Sequence, residues 1–300
     1  MKDRPDRRTL LEVQDLFKLP SPALVEKDWH VVQALAAIHG ATSDGLTLVF
    51  GGGTALGRAY GLLNRMSEDI DLRVVGEQAT ARPALRRLRH EVQARLADKG
   101  FAVEGHVQVK HNDQYVRFDL PYAPIMQGEG VLRPEIKIEI AAFPVRRSVV
   151  DKAVRSFCAE ALDRPPEAPR VPCVSLVEMA AEKFVALTRR TGAVFAGAAV
   201  QDPTLVRHVY DLFQLDGHYD PEDAAVLARE TMTADVARGH DAYKIDPLAE
   251  TLRVVERMGA DAEFRGGYER LMVEMVYGDK PNFDAAMAVL NGFAGCLSRP

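Results

Sequence analysis

The stretch that most constrains this chain runs from Leu48 to Val75, LVFGGGTALGRAYGLLNRMSEDIDLRVV. Thr47 to Phe50 reads as a short apolar strand delivering the chain to Gly51-Gly52-Gly53-Thr54. Thr54 to Leu63 reads as helix, and Asp69-Ile70-Asp71 falls inside a second apolar run. Glycine permits backbone angles closed to other residues and lets a ligand approach the main chain. The free N–H groups where the helix opens form a phosphate cradle. Two carboxylates at i and i+2 on a strand share one face, about 6 to 7 Å apart along the backbone, a spacing that lets both hold one divalent cation. A glycine-rich turn alone is most often only a turn. Strand, Gly-Gly-Thr, helix and a strand bearing Asp-x-Asp together form the layout that holds a nucleoside triphosphate beside metal-binding carboxylates. The alternative is a hairpin edge with solvated acids.

Three hundred residues suit one large domain or two small ones. With 47% apolar and 27% charged residues, the composition is that of an ordinary globular protein. No apolar run approaches the roughly 20 residues of a membrane span. The opening MKDRPDRRTLLEVQDL carries charges where a secretory signal would be apolar, so a cytoplasmic location is expected. Cys158, Cys173 and Cys296 are odd in number, far apart and without CxxC spacing, and read as buried thiols. A formal net charge of −5 gives no overall attraction to nucleic acid, so any contact with it must use local basic patches.

Ser21-Pro22 starts a helix that Gly40 stops, with Glu26, Lys27, Asp28 and Trp29 read as its solvated beginning. Ala81 to Lys99 has apolar residues at helical spacing. Its other face carries Arg82, Arg86, Arg87, Arg89, Arg95 and Lys99, either a solvated face or a surface for nucleic-acid phosphates. Phe101 to Val109 and Tyr115 to Leu120 read as a hairpin, followed by a loop from Pro121 to Pro134. In Glu135 to Ile140 the three isoleucines take one face, and Glu135, Lys137 and Glu139 take the other. If this strand lies beside the Asp69–Asp71 strand, Glu139 can complete a three-carboxylate metal site; otherwise it is a solvated acid.

The polar, Pro-rich segment Arg146 to Pro172 suggests a boundary, giving domains 1–160 and 161–300. Ser175 and Glu178 form a capping box opening the helix SLVEMAAEKFVALTRR. A helical wheel puts Glu178, Glu182 and Arg189 on the wet face and Lys183 on the apolar one. An inward lysine is expected either to meet an anion, a carboxylate or a triphosphate, or to snorkel to the domain edge. A second helix begins near Asp202-Pro203, with Asp211 at the border of its apolar face and His208 among core positions. Pro221 to Ser298 reads as amphipathic helices forming a small bundle.

Taken together, VEKDW at 25–29, FGGGTAL at 50–56, RMSEDIDL at 65–72, IKIEI at 136–140, EMAAEKFVAL at 178–187 and RHVYDL at 207–212 make the chain resemble the AbiEii/AbiGii-type nucleotidyltransferase toxins. These are a branch of the polymerase-β-like nucleotidyltransferase superfamily that includes mycobacterial toxins acting on tRNA. The resemblance implies an α+β fold: a nucleotidyltransferase core of mixed sheet and flanking helices, followed by a C-terminal helical bundle. It implies Asp69 and Asp71 as metal ligands, Ser67 and Gly52-Gly53-Thr54 as phosphate contacts, Lys183 as a nucleotide ligand and Asp211 as completing the site from the helical half. His208 stands where the family usually has an acid. Mg²⁺ or Mn²⁺ and an NTP are the implied cofactors. The implied partners are tRNA or another RNA acceptor and a cognate antitoxin, with Arg82 to Lys99 and Arg146, Arg147, Lys152 and Arg155 as docking surfaces. Two other readings remain at this stage: transfer to a small molecule or protein hydroxyl, and a catalytically inactive binding module.

Overall fold

Alternation of apolar and polar residues in three strands sets the architecture. In DIDLRVV, YVRFDLP and EIKIEIA every second side chain is buried, and its neighbours are not. Such strands build a sheet with one face on a core and the other open. A computed structural model describes residues 3–126, 132–200, 202–237 and 246–299. It divides into two units, Met1–Val174 and Ser175–Pro300.

The first unit contains α1 (Arg7–Phe17), α2 (Pro22–Ile38), β1 (Thr42–Ser43), β2 (Leu46–Gly51), α3 (Gly52–Arg58), β3 (Asp69–Val75), α4 (Arg82–Lys99), β4 (Val107–Lys110), β5 (Tyr115–Pro121), β6 (Glu135–Ala141), β7 (Val150–Val154), α5 (Phe157–Ala161) and β8 (Ala168–Cys173). The strands form one mixed sheet in the order β4-β5-β6-β3-β2-β8-β7, with β1 added to β2. Ser21 caps α2 by accepting from the Ala23 amide, with Pro22 in its first turn. Val31, Leu35 and Ile38 of α2 and Leu85, Leu88, Val92 and Leu96 of α4 share a core with Ile70, Leu72, Val74, Phe118, Ile136 and Ile138 of the sheet. Burying side chains of this size contributes about 1.5–3 kcal/mol each.

The expected boundary at 160 moves. β8 pairs in parallel with β2 through Phe50 and Cys173, and antiparallel with β7, so residues 168–173 fold with the first unit. The expected helix over 54–63 is shorter, because α3 ends at Arg58 and Gly61 follows with φ +68°. The first hairpin strand is also shorter than expected. His111, Asn112 and Asp113, all at positive φ, turn the chain into β5. The loop expected over 121–134 lies partly outside the described residues.

The second unit is helical: α6 (Leu176–Phe195), α7 (Arg207–Leu215), α8 (Pro221–Ala237), α9 (Pro247–Ala260), α10 (Ala262–Glu274) and α11 (Phe283–Leu297). Residues 238–245 of the expected bundle lie outside the described residues. Ser175 caps α6 as expected, accepting from the Glu178 amide. Phe184 of α6 stacks on Phe293 of α11 with ring centroids 4.3 Å apart. No helix among the described residues is long and apolar enough to cross a membrane. The three cysteines are free and buried, and burial pushes the Cys158 and Cys173 thiols up to about 12.

Candidate active site

The open face of the sheet concentrates charge. β3 and β6 run in parallel with Asp69 opposite Lys137 and Asp71 opposite Glu139, so these four side chains share the face away from the core. Strand alternation puts them there: Ile70, Leu72, Ile136 and Ile138 are buried on the other side. The Lys137 ammonium lies 2.6 Å from Oε1 of Glu139 and 3.4 Å from Oδ2 of Asp69. Burial pulls Lys137 down, but its hydrogen bond to Glu139 and the charge of Asp69 outweigh this and hold it above the ordinary lysine range. Tyr115 of β5 also reaches Glu139, and its hydroxyl is raised by burial and by that carboxylate.

The expected trio Asp69, Asp71 and Glu139 is therefore not assembled as a three-acid cluster. Lys137 stands between two of its members, and no group of three or more His, Cys, Asp or Glu gathered to hold a metal occurs among the described residues. Asp69 and Asp71 still offer hard carboxylate oxygens on one open face, the donor type that Mg²⁺ and Mn²⁺ prefer.

The glycine turn lies against the same acids. β2 pairs antiparallel with β3, ending with Gly51 opposite Asp71. Gly52 has φ +74°, and a Cβ built there would come within 2.0 Å of Oδ2 of Asp71. At Gly53 a Cβ would meet Oγ of Ser67 at 2.7 Å and Nη2 of Arg65 at 2.9 Å. Both positions exclude larger residues because Asp71, Ser67 and Arg65 crowd the main chain. Thr54 is buried. Its hydroxyl lies 2.6 Å from the Asp69 carbonyl, to which it donates, and 3.0 Å from Oγ of Ser67. It thus bolts the turn to β3 at the first acid.

In the helical unit, Lys183 of α6 and Asp211 of α7 form a buried ion pair, Nζ to Oδ2 2.7 Å. Asp211 is fully buried and Lys183 nearly so. The inward lysine meets a carboxylate, one of the two anions expected for it. Glu178, expected on the wet face, is instead buried beside the cap of α6. His208 is half-buried in the first turn of α7.

The family model of the nucleotidyl transferase AbiEii toxin, type IV TA system, matches residues 33–289. The chain belongs to this family. It is a nucleotidyltransferase toxin of the AbiEii type, as the motifs led us to expect. Among solved structures, MenT4, a nucleotidyltransferase toxin from Mycobacterium tuberculosis H37Rv, matches with a TM-score of 0.62 and 16% identity, over 97% of this chain and 90% of that one. At that identity the likeness is one of fold. No curated protein matches the sequence.

Within this AbiEii protein the Glu26-Lys27-Asp28 run corrects the expectation of a solvated helix start. Glu26 accepts from the amides of Ile125 and Met126 and pairs with Arg4. Lys27, itself buried, holds Oε2 of Glu68 at 2.7 Å and donates to the Arg133 carbonyl. Asp28 accepts from the Phe157 amide and faces Arg58, yet burial raises its carboxyl to about 6. Lys27 thus grips the residue just before Asp69, and charge pattern alone gave no sign of it.

The arginine-rich face of α4 is largely committed within the fold. Arg82 and Arg89 pair with Asp113, Arg87 with Asp44 and Arg95 with Glu91, while Arg86 and Lys99 have no ion pair among the described residues. Lys152 lies over the Tyr60 ring at 4.7 Å. Sequence reasoning placed Lys137 on the acid face without giving it a role. The signal was available, since a parallel register that brings Glu139 beside Asp71 also brings Lys137 beside Asp69.

Proposed function

We propose that this AbiEii protein transfers a nucleoside monophosphate from an NTP to an RNA hydroxyl, with the 3′ end of tRNA as the acceptor, in the cytoplasm and under the control of a cognate antitoxin. The observation carrying the reading is the coupling of the Gly52 turn to Asp71, at a spacing that leaves no room for a side chain between main chain and carboxylate. The Asp71 carboxylate takes the space a side chain would fill, so a phosphate chain on the amides of the turn would lie beside both acids of the strand.

Asp69 and Asp71 would hold a divalent cation, which would neutralise charge on the triphosphate and on departing pyrophosphate. Thr54 fixes the first acid through the Asp69 carbonyl, and Lys27 fixes the preceding residue through Glu68. The main chain of Gly52 and Gly53, with Ser67, would receive phosphate oxygens. Lys183, oriented by Asp211, would bind the nucleotide. The acceptor oxygen forms a bond to the α-phosphorus as the bond to the β-phosphate bridging oxygen breaks. The proton of the acceptor hydroxyl passes to solvent or to a nearby carboxylate.

Incubation with total tRNA, Mg²⁺ and each α-labelled NTP in turn tests this directly. The reading expects label in RNA that ribonuclease releases, and none from γ-labelled NTP. Label appearing in protein or in a small molecule instead would replace the acceptor. Label transferred to no acceptor would remove the enzymatic reading.

A further inference from the structure

The two contacts of Lys137 are unequal. Its bond to Glu139 at 2.6 Å is a short charge-assisted one, whereas 3.4 Å to Asp69 is at the limit of a hydrogen bond. The side chain is 29% exposed, so its flexible stem can reorient without disturbing the core. Arg117, opposite Glu139 on β5, is held by Asp119 at 2.7 Å, and Arg73 reaches the Pro144 carbonyl. A cation on Asp69 and Asp71 would repel the ammonium and take over the charge of Asp69. Lys137 would then give up the weaker contact and keep the stronger, leaving donors free beside the metal pair. The anion that accompanies such a cation is a triphosphate.

We propose that Lys137 is a phosphate ligand for the bound nucleotide and that Glu139 is its positioning residue, not a third metal ligand. This rests on the nucleotidyl-transfer reading and adds to it a residue, with a changed role for Glu139. In the nucleotide-free protein the ammonium bridges Glu139 and Asp69; in the loaded protein it stays on Glu139 and turns to phosphate.

The test separates metal from nucleotide. Mn²⁺ binding without nucleotide is followed by electron paramagnetic resonance, and binding of each labelled NTP at saturating Mn²⁺ by equilibrium dialysis, for the parent chain, Lys137→Met, Lys137→Arg and Glu139→Gln. Lys137→Met should weaken NTP binding by about tenfold or more and leave Mn²⁺ binding equal or tighter, with Lys137→Arg restoring most of the NTP affinity. Glu139→Gln should likewise weaken NTP binding while leaving Mn²⁺ affinity within about twofold, as expected of a residue that acts through Lys137. Unchanged NTP affinity in Lys137→Met overturns the phosphate contact. A loss of Mn²⁺ affinity of about tenfold in Glu139→Gln overturns the positioning role and makes Glu139 a ligand. A parent chain that binds neither Mn²⁺ nor any NTP overturns the underlying reading, whereas one that binds both beside an unaffected Lys137→Met overturns this proposal alone. Lys137→Gln replaces Lys137→Met if the latter does not give the parent circular dichroism.

Discussion

A methyl group on Gly52 would lie 2.0 Å from Oδ2 of Asp71, and the φ of +74° is strained for any L residue with a side chain. Gly52→Ala should therefore cost about 1–2 kcal/mol in backbone strain alone, read by urea unfolding, and should displace Asp71 enough to abolish nucleotidyl transfer. Gly61→Ala is the control: it shares the positive φ but has nothing near its Cβ, so it should lose stability and keep activity. His30 makes a second prediction at this scale. It stacks on Tyr122 at 4.1 Å with both ring nitrogens unpartnered among the described residues. Burial, with Arg4 nearby, lowers it to about 3. The unfolded chain takes up this proton below the ordinary histidine pKa of about 6.5, whereas the folded chain does not until about 3, so stability falls as pH drops through that window. His30→Phe keeps an aromatic stack and removes the effect. Relative to the parent it should gain about 2 kcal/mol between pH 7 and pH 5, measured by unfolding at both. Asp28 titrates in the opposite sense but is common to both proteins, so it cancels.

At the scale of elements, α6 and α7 are joined by the buried Lys183–Asp211 pair. Removing one partner takes a 2.7 Å counter-ion from a buried charge, so Lys183→Met or Asp211→Leu alone should cost about 3–5 kcal/mol. The double variant should cost well under the sum of the two, because it leaves no orphan charge. Thermal or urea unfolding of the four proteins in the cycle measures this, and equal additivity would mean that the pair is not coupled. Elements with clean periodicity were legible in advance. The alternation put Asp69 and Asp71 together on the polar face of β3, and Lys137 and Glu139 together on that of β6, before the pairing joined the two. The wheel of α6 also turned Lys183 inward. What was not legible depends on partners distant in sequence. Glu26 and Lys27 are buried because residues 125, 126, 68 and 133 come to meet them. Arg82, Arg87 and Arg89 of α4 pair with Asp113 and Asp44, which local sequence does not place beside them. β8 looked like linker because proline and charge interrupt it, yet its register with β2 and β7 makes it sheet.

For the whole molecule, a net charge of −5 and the internal pairing of α4 leave little long-range attraction for RNA. Recognition of an acceptor must then rest on a few local contacts, and its salt dependence should be shallow compared with a basic RNA-binding protein. Measuring transfer to tRNA across about 50 to 200 mM salt checks this, since a steep decline signals many phosphate contacts. Catalysis in this account comes from a small part of the fold: two acids on β3, a glycine turn pressed against one of them, and buried anchors behind both. The most direct test is the single-turnover rate of nucleotidyl transfer to tRNA by Asp69→Asn/Asp71→Asn, compared with the parent at equal folded concentration. The rate should fall on the order of a thousandfold with unfolding behaviour little changed; a folded double variant that transfers as fast as the parent would rule out Asp69 and Asp71 as the catalytic pair.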